Sequence, residues 1–359
     1  MTETYFCGID LGGTKVELIV IDPIGNEVFR RRKPTPQGDY PATLAAIAAL
    51  VSEAEYEAGP IAAVGMGTPG AISKASGRMK NCNSTCLNGQ ALLEDLEKLL
   101  GKPIRIANDA DCFALSEATD GAGAGAETVF GVILGTGVGA GVVVRGHLLS
   151  GPNSIAGEWG HNPLPWPRDE ERPGPACYCG RSGCIETFLS GPGLALSYHL
   201  KKTCGAVGIA HPTEDNDQHG RVGYAHHMKY PGNPPDALGT QRSIPPGEWL
   251  DSTTLGDANP QAMTAADIAR GAASGDASCE LEMQLYEDRL ARALAHVINI
   301  LDPHVIVLGG GLSNCARLYE NVPKLWGRYV FSDRVDTRLV PPHFGDSSGV
   351  RGAAWLWAD

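Results

Sequence analysis

The sequence has no surplus of positive charge. Lys and Arg total 29 against 41 Asp and Glu, a formal net charge of −12. Nucleic acid and anionic membrane are therefore not expected as main partners. A small anionic ligand is not excluded, because it answers to local groups. Long apolar runs are also missing. The longest, Val129 to Val144, falls short of the ~18 residues of a spanning helix. It holds five Gly and reads as two short strands with a turn. The amino-terminal MTETYFCGID has no basic leader region and reaches an acid at Asp10, so a cytoplasmic location is expected. The G-x-x-x-x-G-K-[ST] phosphate loop is absent. A G-x-G-x-x-A match at Gly135 to Ala140 runs into Val142-Val143-Val144. That stretch reads as strand, whereas a dinucleotide fingerprint must open a helix.

What is present describes a folded chain. Hydrophobic residues make up 43% and charged residues 19% of 359, which excludes global disorder and predicts roughly two domains. Two segments resemble each other at a constant offset of 123: Gly8 matches Gly131, Leu11 matches Leu134, and Gly12 matches Gly135. Each copy is an apolar strand, a Gly-rich turn and a second apolar strand, so each reads as a β-hairpin opening its own half. Such duplication suggests two similar domains facing a cleft, here 1–122 and 123–359.

Between the hairpins, helical periodicity runs from Tyr40 to Ala58 and from Leu92 to Leu100. Ile61 to Met66 and Pro103 to Ala107 read as strands, and Ala110 to Ala118 as a helix. Later come a long amphipathic helix at Ser278 to Leu301, a strand at His304 to Leu308, and a turn into a further helix near Ser313. Strands alternating with helices give an α/β class with a largely parallel core, whose ligands sit beyond the carboxyl ends of the strands. Residues 205–262 hold eight Gly, seven Pro and four His without a sustained period, and read as a long irregular insertion. The pair His226-His227 within it has no Cys or carboxylate at ligand spacing and reads as solvated loop.

Several segments could carry chemistry. In Asp10-Leu11-Gly12-Gly13-Thr14-Lys15, adjacent glycines let backbone N–H groups approach phosphate oxygens. Thr14 and Lys15 add a hydroxyl and a cation, and Asp10 could hold a water of Mg²⁺. Gly135-Thr136-Gly137 occupies the matching turn of the second hairpin, so two turns could clamp one polyphosphate. Asn108-Asp109 lies between a strand and a helix. A carboxylate there suits a base for phosphoryl transfer, and the pair equally suits a helix cap. Cys177-Tyr-Cys179-Gly-Arg-Ser-Gly-Cys184 puts three thiols in eight residues, with His161 16 residues upstream. Cys₃His is a tetrahedral structural zinc set, and reactive or merely buried thiols are the alternative. Glu158 and Glu186 flank this cluster. They could accept hydrogen bonds from a polyol or stand as solvated acids.

Together these motifs resemble the ROK family, which includes sugar kinases and repressors. The resemblance rests on DLGGTK, GTPG at 67–70, ANDA at 107–110, GTGVGAG, EWGH, CYCGRSGCIE and VIVLGGG, in family order from residue 6 onward apart from roughly 205–262. NSTCLNGQ, GEWGHNPLPW and HFGDSSGVRGAAWLW are most like the bacterial fructokinases of the family, with the kinase for N-acetylglucosamine a near relative. The resemblance implies an actin-like, hexokinase-like fold of duplicated ribonuclease H-like domains, with the last helix packing back on the first domain. It implies ATP, Mg²⁺ and a structural Zn²⁺ on His161, Cys177, Cys179 and Cys184. Asp109 would take the proton of the sugar 6-hydroxyl. Asn83, Asn108, Glu158, His161 and Glu186 would hold the sugar, His161 using its second ring nitrogen. Asp10, Gly12, Gly13, Thr14, Lys15, Gly135, Thr136 and Gly137 would surround the phosphates, and Gly309, Gly310 and Gly311 would lie against the adenosine. A homodimer is implied as well.

Two departures stand out. Cys86 occupies a position often held by Trp in related kinases, and the insertion has no counterpart in the short fructokinases. The expected activity is phosphorylation of a hexose, fructose first, with N-acetylglucosamine, N-acetylmannosamine, glucose or mannose as alternatives. A non-catalytic sugar-sensing regulator is a different class, disfavoured by the acidic charge and by the absence of room for a helix-turn-helix before Asp10. A zinc-stabilised ATP-binding structural protein would leave Glu158, His161 and Glu186 unexplained.

Overall fold

The computed structural model describes residues 5–82, 84–204 and 263–358. The insertion, His226-His227 and Asn83 lie outside the described residues.

Alternating apolar residues around a Gly-Gly turn form the first hairpin, β1 (Phe6–Leu11) and β2 (Lys15–Ile21), which β3 (Glu27–Pro34) extends. Helix α1 (Tyr40–Ala58) follows, with the Asp39 carboxylate capping Ala42 N at 2.9 Å and a proline in its first turn. Then come β4 (Val64–Thr68), a small ribbon of β5 (Ala71–Ile72) and β6 (Met79–Lys80), helix α2 (Leu92–Leu100) and β7 (Ile104–Asn108). These build a five-stranded sheet ordered β3-β2-β1-β4-β7, parallel across β1, β4 and β7. Helix α3 (Asp109–Thr119) leaves the carboxyl end of β7 directly.

The second half repeats this opening. Strands β8 (Thr128–Leu134) and β9 (Val138–Val144) form a hairpin, edged by β10 (His147–Leu148). After helices α4 (Ile185–Leu189), α5 (Gly191–Cys204), α6 (Ala265–Ala273) and α7 (Ala277–Leu301), β11 (Val305–Gly309) and β12 (Arg338–Val340) complete a sheet ordered β10-β9-β8-β11-β12. The helix expected near Ser313 starts later. Gly311–Asn314 forms a 3₁₀ turn, and α8 is Arg317–Trp326. Cys315, extended at φ −86° and ψ 95°, ends that turn and separates it from α8.

Each sheet has its own apolar core, and a third cluster joins them. It contains Ile19 and Ile21 of β2, Phe113 to Leu115 of α3, Val129, Val143, Val305 and Val307 of the second sheet, and Val350, Ala354 and Trp355 of α9 (Ser348–Trp355). Helix α9 lies against β1 and β4, and α3 lies against β8 and β9. The contacts are backbone to backbone. A Cβ added at Gly8 would stand 2.3 Å from Val350 O, and one at Gly352 would stand 1.6 Å from Cys112 O. Glu117 of α3, fully buried, ties the two helices. Its carboxylate accepts from Ala122 N at 2.8 Å, His343 N at 3.0 Å and Ser348 Oγ at 2.6 Å. The chain between β10 and α4 is braced by a second buried group, Glu171. It pairs with Arg292 and Arg289 of α7 at 2.8 Å each. Among the described residues no helix is long and apolar enough to cross a membrane.

Candidate active site

The first Gly-rich turn and Asp109, at the start of α3, line one cavity, and the second turn lies against Glu186. In the first turn, Gly12 N donates to Lys15 O at 2.9 Å. In the second, Gly135 N donates to Gly137 O at 3.0 Å and Gly135 O accepts from Gly191 N at 2.8 Å, so the start of α5 anchors it. Asp10, next to last in β1, pairs with Glu17 of β2. Burial, followed by the nearby charges of Asp109 and Glu17, pushes the Asp10 carboxyl up to about 6. The Gly349 end of α9 approaches closely: a Cβ there would stand 3.6 Å from Asp10 Oδ2.

Asn108 is the N-cap of α3, its Oδ1 accepting from Ala110 N at 2.9 Å, and Asp109 Oδ1 accepts from the same N–H at 2.8 Å. The cap that the sequence allows is therefore formed, and it orients the candidate base. Asp109 opens to the cleft, yet both domains surround it. That burial is the main cause raising its carboxyl, Ala110 N–H opposes the rise, and the Glu158 charge adds to it. Asp111, half-buried two residues further on, is raised to about 7 by burial and by Glu158 and Asp109. Its Oδ1 is buried without a hydrogen bond. Glu158, whose charge raises both aspartates, is the N-cap of a 3₁₀ turn at Trp159–His161. A cavity of about 440 Å³ opens beside Asp109, lined by Gly13, Thr14, Thr35, Ser84 and Cys86 among others.

Glu186 lies in the first turn of α4, whose N-cap is Cys184. Its Oε2 accepts from Val138 N at 2.9 Å, and a Cβ on Gly137 would come within 2.7 Å of that oxygen. The carboxylate thus touches the second turn. Of the three late glycines, Gly309 packs against Phe113, whose ring would stand 2.6 Å from an added Cβ. Gly310 packs against Leu134 O, 2.5 Å from such an atom, and Gly311 faces open space.

The four zinc candidates converge. The ligand atoms of His161, Cys177, Cys179 and Cys184 all lie within 4.8 Å of one another. Cys177 Sγ is 3.5 Å from His161 Nδ1, and Cys179 Sγ is 3.6 Å from Cys184 Sγ. A tetrahedron with zinc–sulfur bonds of ~2.3 Å has edges of about 3.8 Å, so spacing and donor types fit Zn²⁺ with four protein ligands. His161 Nε2, the nitrogen left for a sugar, is engaged by Tyr178 Oη at 2.9 Å. Sequence reasoning missed Tyr178, although it stands between two of the thiols. It also missed Thr35, which carries no motif, and Ser84, which sits in NSTCLNGQ without a role assigned; both line the cavity only through the fold.

The comparisons decide the family. The ROK family pattern matches residues 6–359. The chain belongs to the ROK family. An N-acetyl-D-glucosamine kinase of Yersinia enterocolitica is 34% identical over 98% of this chain and 98% of its own length. The crystal structure of a ROK hexokinase from Thermus thermophilus matches with a TM-score of 0.72 and 25% identity, covering 98% of this chain and 97% of that one. A ROK glucokinase from Streptomyces griseus, solved with glucose and AMPPNP, matches with a TM-score of 0.68 and 23% identity, covering 98% of each chain. The protein is thus a ROK sugar kinase with the actin-like, hexokinase-like fold. The fructose preference drawn from NSTCLNGQ and its companion stretches does not agree with the N-acetylglucosamine kinases, which match at 33–34% identity.

Proposed function

We propose that this chain is an ATP-dependent N-acetylglucosamine kinase acting on the sugar 6-hydroxyl. The observation that carries the substrate is the 34% identity, over nearly the whole length of both chains, to a kinase named for that sugar. The chemistry is supported by a carboxylate at the mouth of α3 beside a cavity and a Gly-Gly turn.

Asp109 accepts the proton of the 6-hydroxyl as that oxygen bonds to the γ-phosphorus and the bond to the ADP oxygen breaks. Asn108, whose Oδ1 is committed to the cap, offers its Nδ2 to a sugar hydroxyl. Glu158 and Glu186 accept from others. Backbone N–H groups of the turns at 12–15 and 135–137 face the phosphates, and Lys15 adds a positive charge. Magnesium, bound with ATP, would neutralise phosphate charge, and Asp10 would hold it through its waters. Zinc on His161, Cys177, Cys179 and Cys184 would fix the start of α4, and with it Glu186. Closure of the domains over the sugar would exclude water from the transferring phosphoryl group.

The test is ADP release from Mg-ATP with N-acetylglucosamine, N-acetylmannosamine, fructose, mannose and glucose, with Asp109→Asn alongside. N-acetylglucosamine should lead. The variant should lose turnover by about 10²- to 10⁴-fold while its sugar affinity changes little. Fructose in the lead would restore the preference carried by NSTCLNGQ. Near-normal turnover in the variant would remove Asp109 from the base role.

A further inference from the structure

We propose that Thr35 is the positioning residue that aims the first phosphate turn. Thr35 follows β3, whose Pro34 pairs with Lys15 across the sheet edge. It donates twice to the turn: Thr35 N to Thr14 O at 3.0 Å, and Thr35 Oγ1 to Gly12 O at 2.8 Å. These two carbonyls bracket the turn on either side of Gly13. In a planar trans peptide, the C=O and N–H of one unit point in opposite directions. With Gly12 O held toward Thr35, Gly13 N–H points away from it. With Thr14 O held the same way, so does Lys15 N–H.

The constraint is needed because of the sequence that makes the turn. Gly12 and Gly13 carry no side chains, so the Gly12–Gly13 peptide has two accessible faces. One face offers a hydrogen-bond donor to an anion, and the flipped face offers a carbonyl oxygen that repels it. The turn's own bond, Gly12 N to Lys15 O at 2.9 Å, fixes neither the Gly12 carbonyl nor the Thr14 carbonyl. Thr35 fixes both. It is half-buried and lines the cavity beside Gly13 and Asp109, so the brace stands at the edge of the space the phosphates enter. The inference rests on the kinase reading and deepens it by naming what orients the nucleotide-facing backbone.

Thr35→Val keeps the shape and the backbone donor and removes the hydroxyl, whereas Thr35→Ser keeps both donors. Calorimetric binding of Mg-ADP and steady-state kinetics separate the outcomes. Thr35→Val should lower kcat/KM for ATP by on the order of tenfold to a hundredfold, with sugar KM within about twofold of the original. Thr35→Ser should stay within about threefold for both. Unchanged kcat/KM for ATP in Thr35→Val overturns the assignment. So does an equal loss toward ATP and sugar that Ser does not rescue, the mark of a merely structural role. If Val at 35 prevents folding, Thr35→Ala read against Thr35→Ser gives the same comparison. If the unsubstituted protein binds no nucleotide, the kinase reading itself fails, and that result is distinct from a nucleotide-binding protein indifferent to Thr35.

Discussion

Asp109 is raised above the ordinary aspartate range because it sits between two domains with Glu158 nearby. A base must be ionised to work, so activity is present above its pKa and lost as pH falls through it. The acid limb of kcat/KM should therefore lie above the usual aspartate range. Glu158→Gln removes one cause of the rise and should shift that limb to lower pH, whatever it does to sugar affinity. A pH profile of the variant checks this, and an unmoved limb would mean the charge at 158 does not reach the base. At this scale the sequence was legible where chemistry and local chain order coincide: Asn108 and Asp109 adjoin, and the three thiols fall within eight residues. Tyr178 and Thr35 were not legible. The bond from Thr35 Oγ1 spans 23 positions and exists only because β3 returns beside β2. Asp111 was hidden for another reason, since nothing in its sequence says that one carboxyl oxygen is buried without a partner.

Helix α4 links the candidate metal cluster to a carboxylate two residues away. Cys184 is its N-cap and Glu186 lies in its first turn, so a metal on Cys184 would set where the helix starts. A five-residue helix is far too short to hold itself. Purified protein should carry about one zinc per chain, following the four-ligand count. Cys184→Ser should lose most of it, lower the melting temperature and raise KM for sugar more than KM for ATP. Metal analysis with thermal unfolding checks the first two, and a metal-free protein with unchanged melting would refute the site. Helices α1 and α2 were read from sequence to the residue, and both hairpins to within about three residues. The turn after β11 was not, because the extended Cys315 separates its 3₁₀ turn from the helix, which starts at Arg317. Nor was the Glu171 brace, whose bond to Arg292 joins positions 121 apart.

The two halves are held by α3 and α9, crossed at backbone contact where Gly352 meets Cys112. Gly352→Val should disrupt that crossing, because its Cβ would need a position 1.6 Å from a carbonyl oxygen. A loss of at least about 3 kcal/mol is expected, the upper range for overpacking, together with a fall in activity as α3 is displaced. Denaturant unfolding measures it, and a variant of unaltered stability would show that the helices separate easily. The duplicated hairpins announce two similar domains in the sequence. The cluster that joins them is not written so openly, since Val350 and Ala354 meet Ile19 and Val129 only after the whole chain has turned back.

That return sets an order of events. Strands β1 and β4 are synthesised early, yet their glycine-lined face stays open until α9 arrives from hundreds of residues downstream. Closing so long a loop is slow, although its entropic cost grows only gently with length. The first half emerging from the ribosome thus exposes an unfilled trough, while α3 has neither its partner helix nor the Ser348 hydroxyl for Glu117. Maturation of the surroundings of Asp109, the candidate base, and completion of the fold become one late step. A nascent chain halted before α9 has every motif of the site and none of the arrangement that makes them act together.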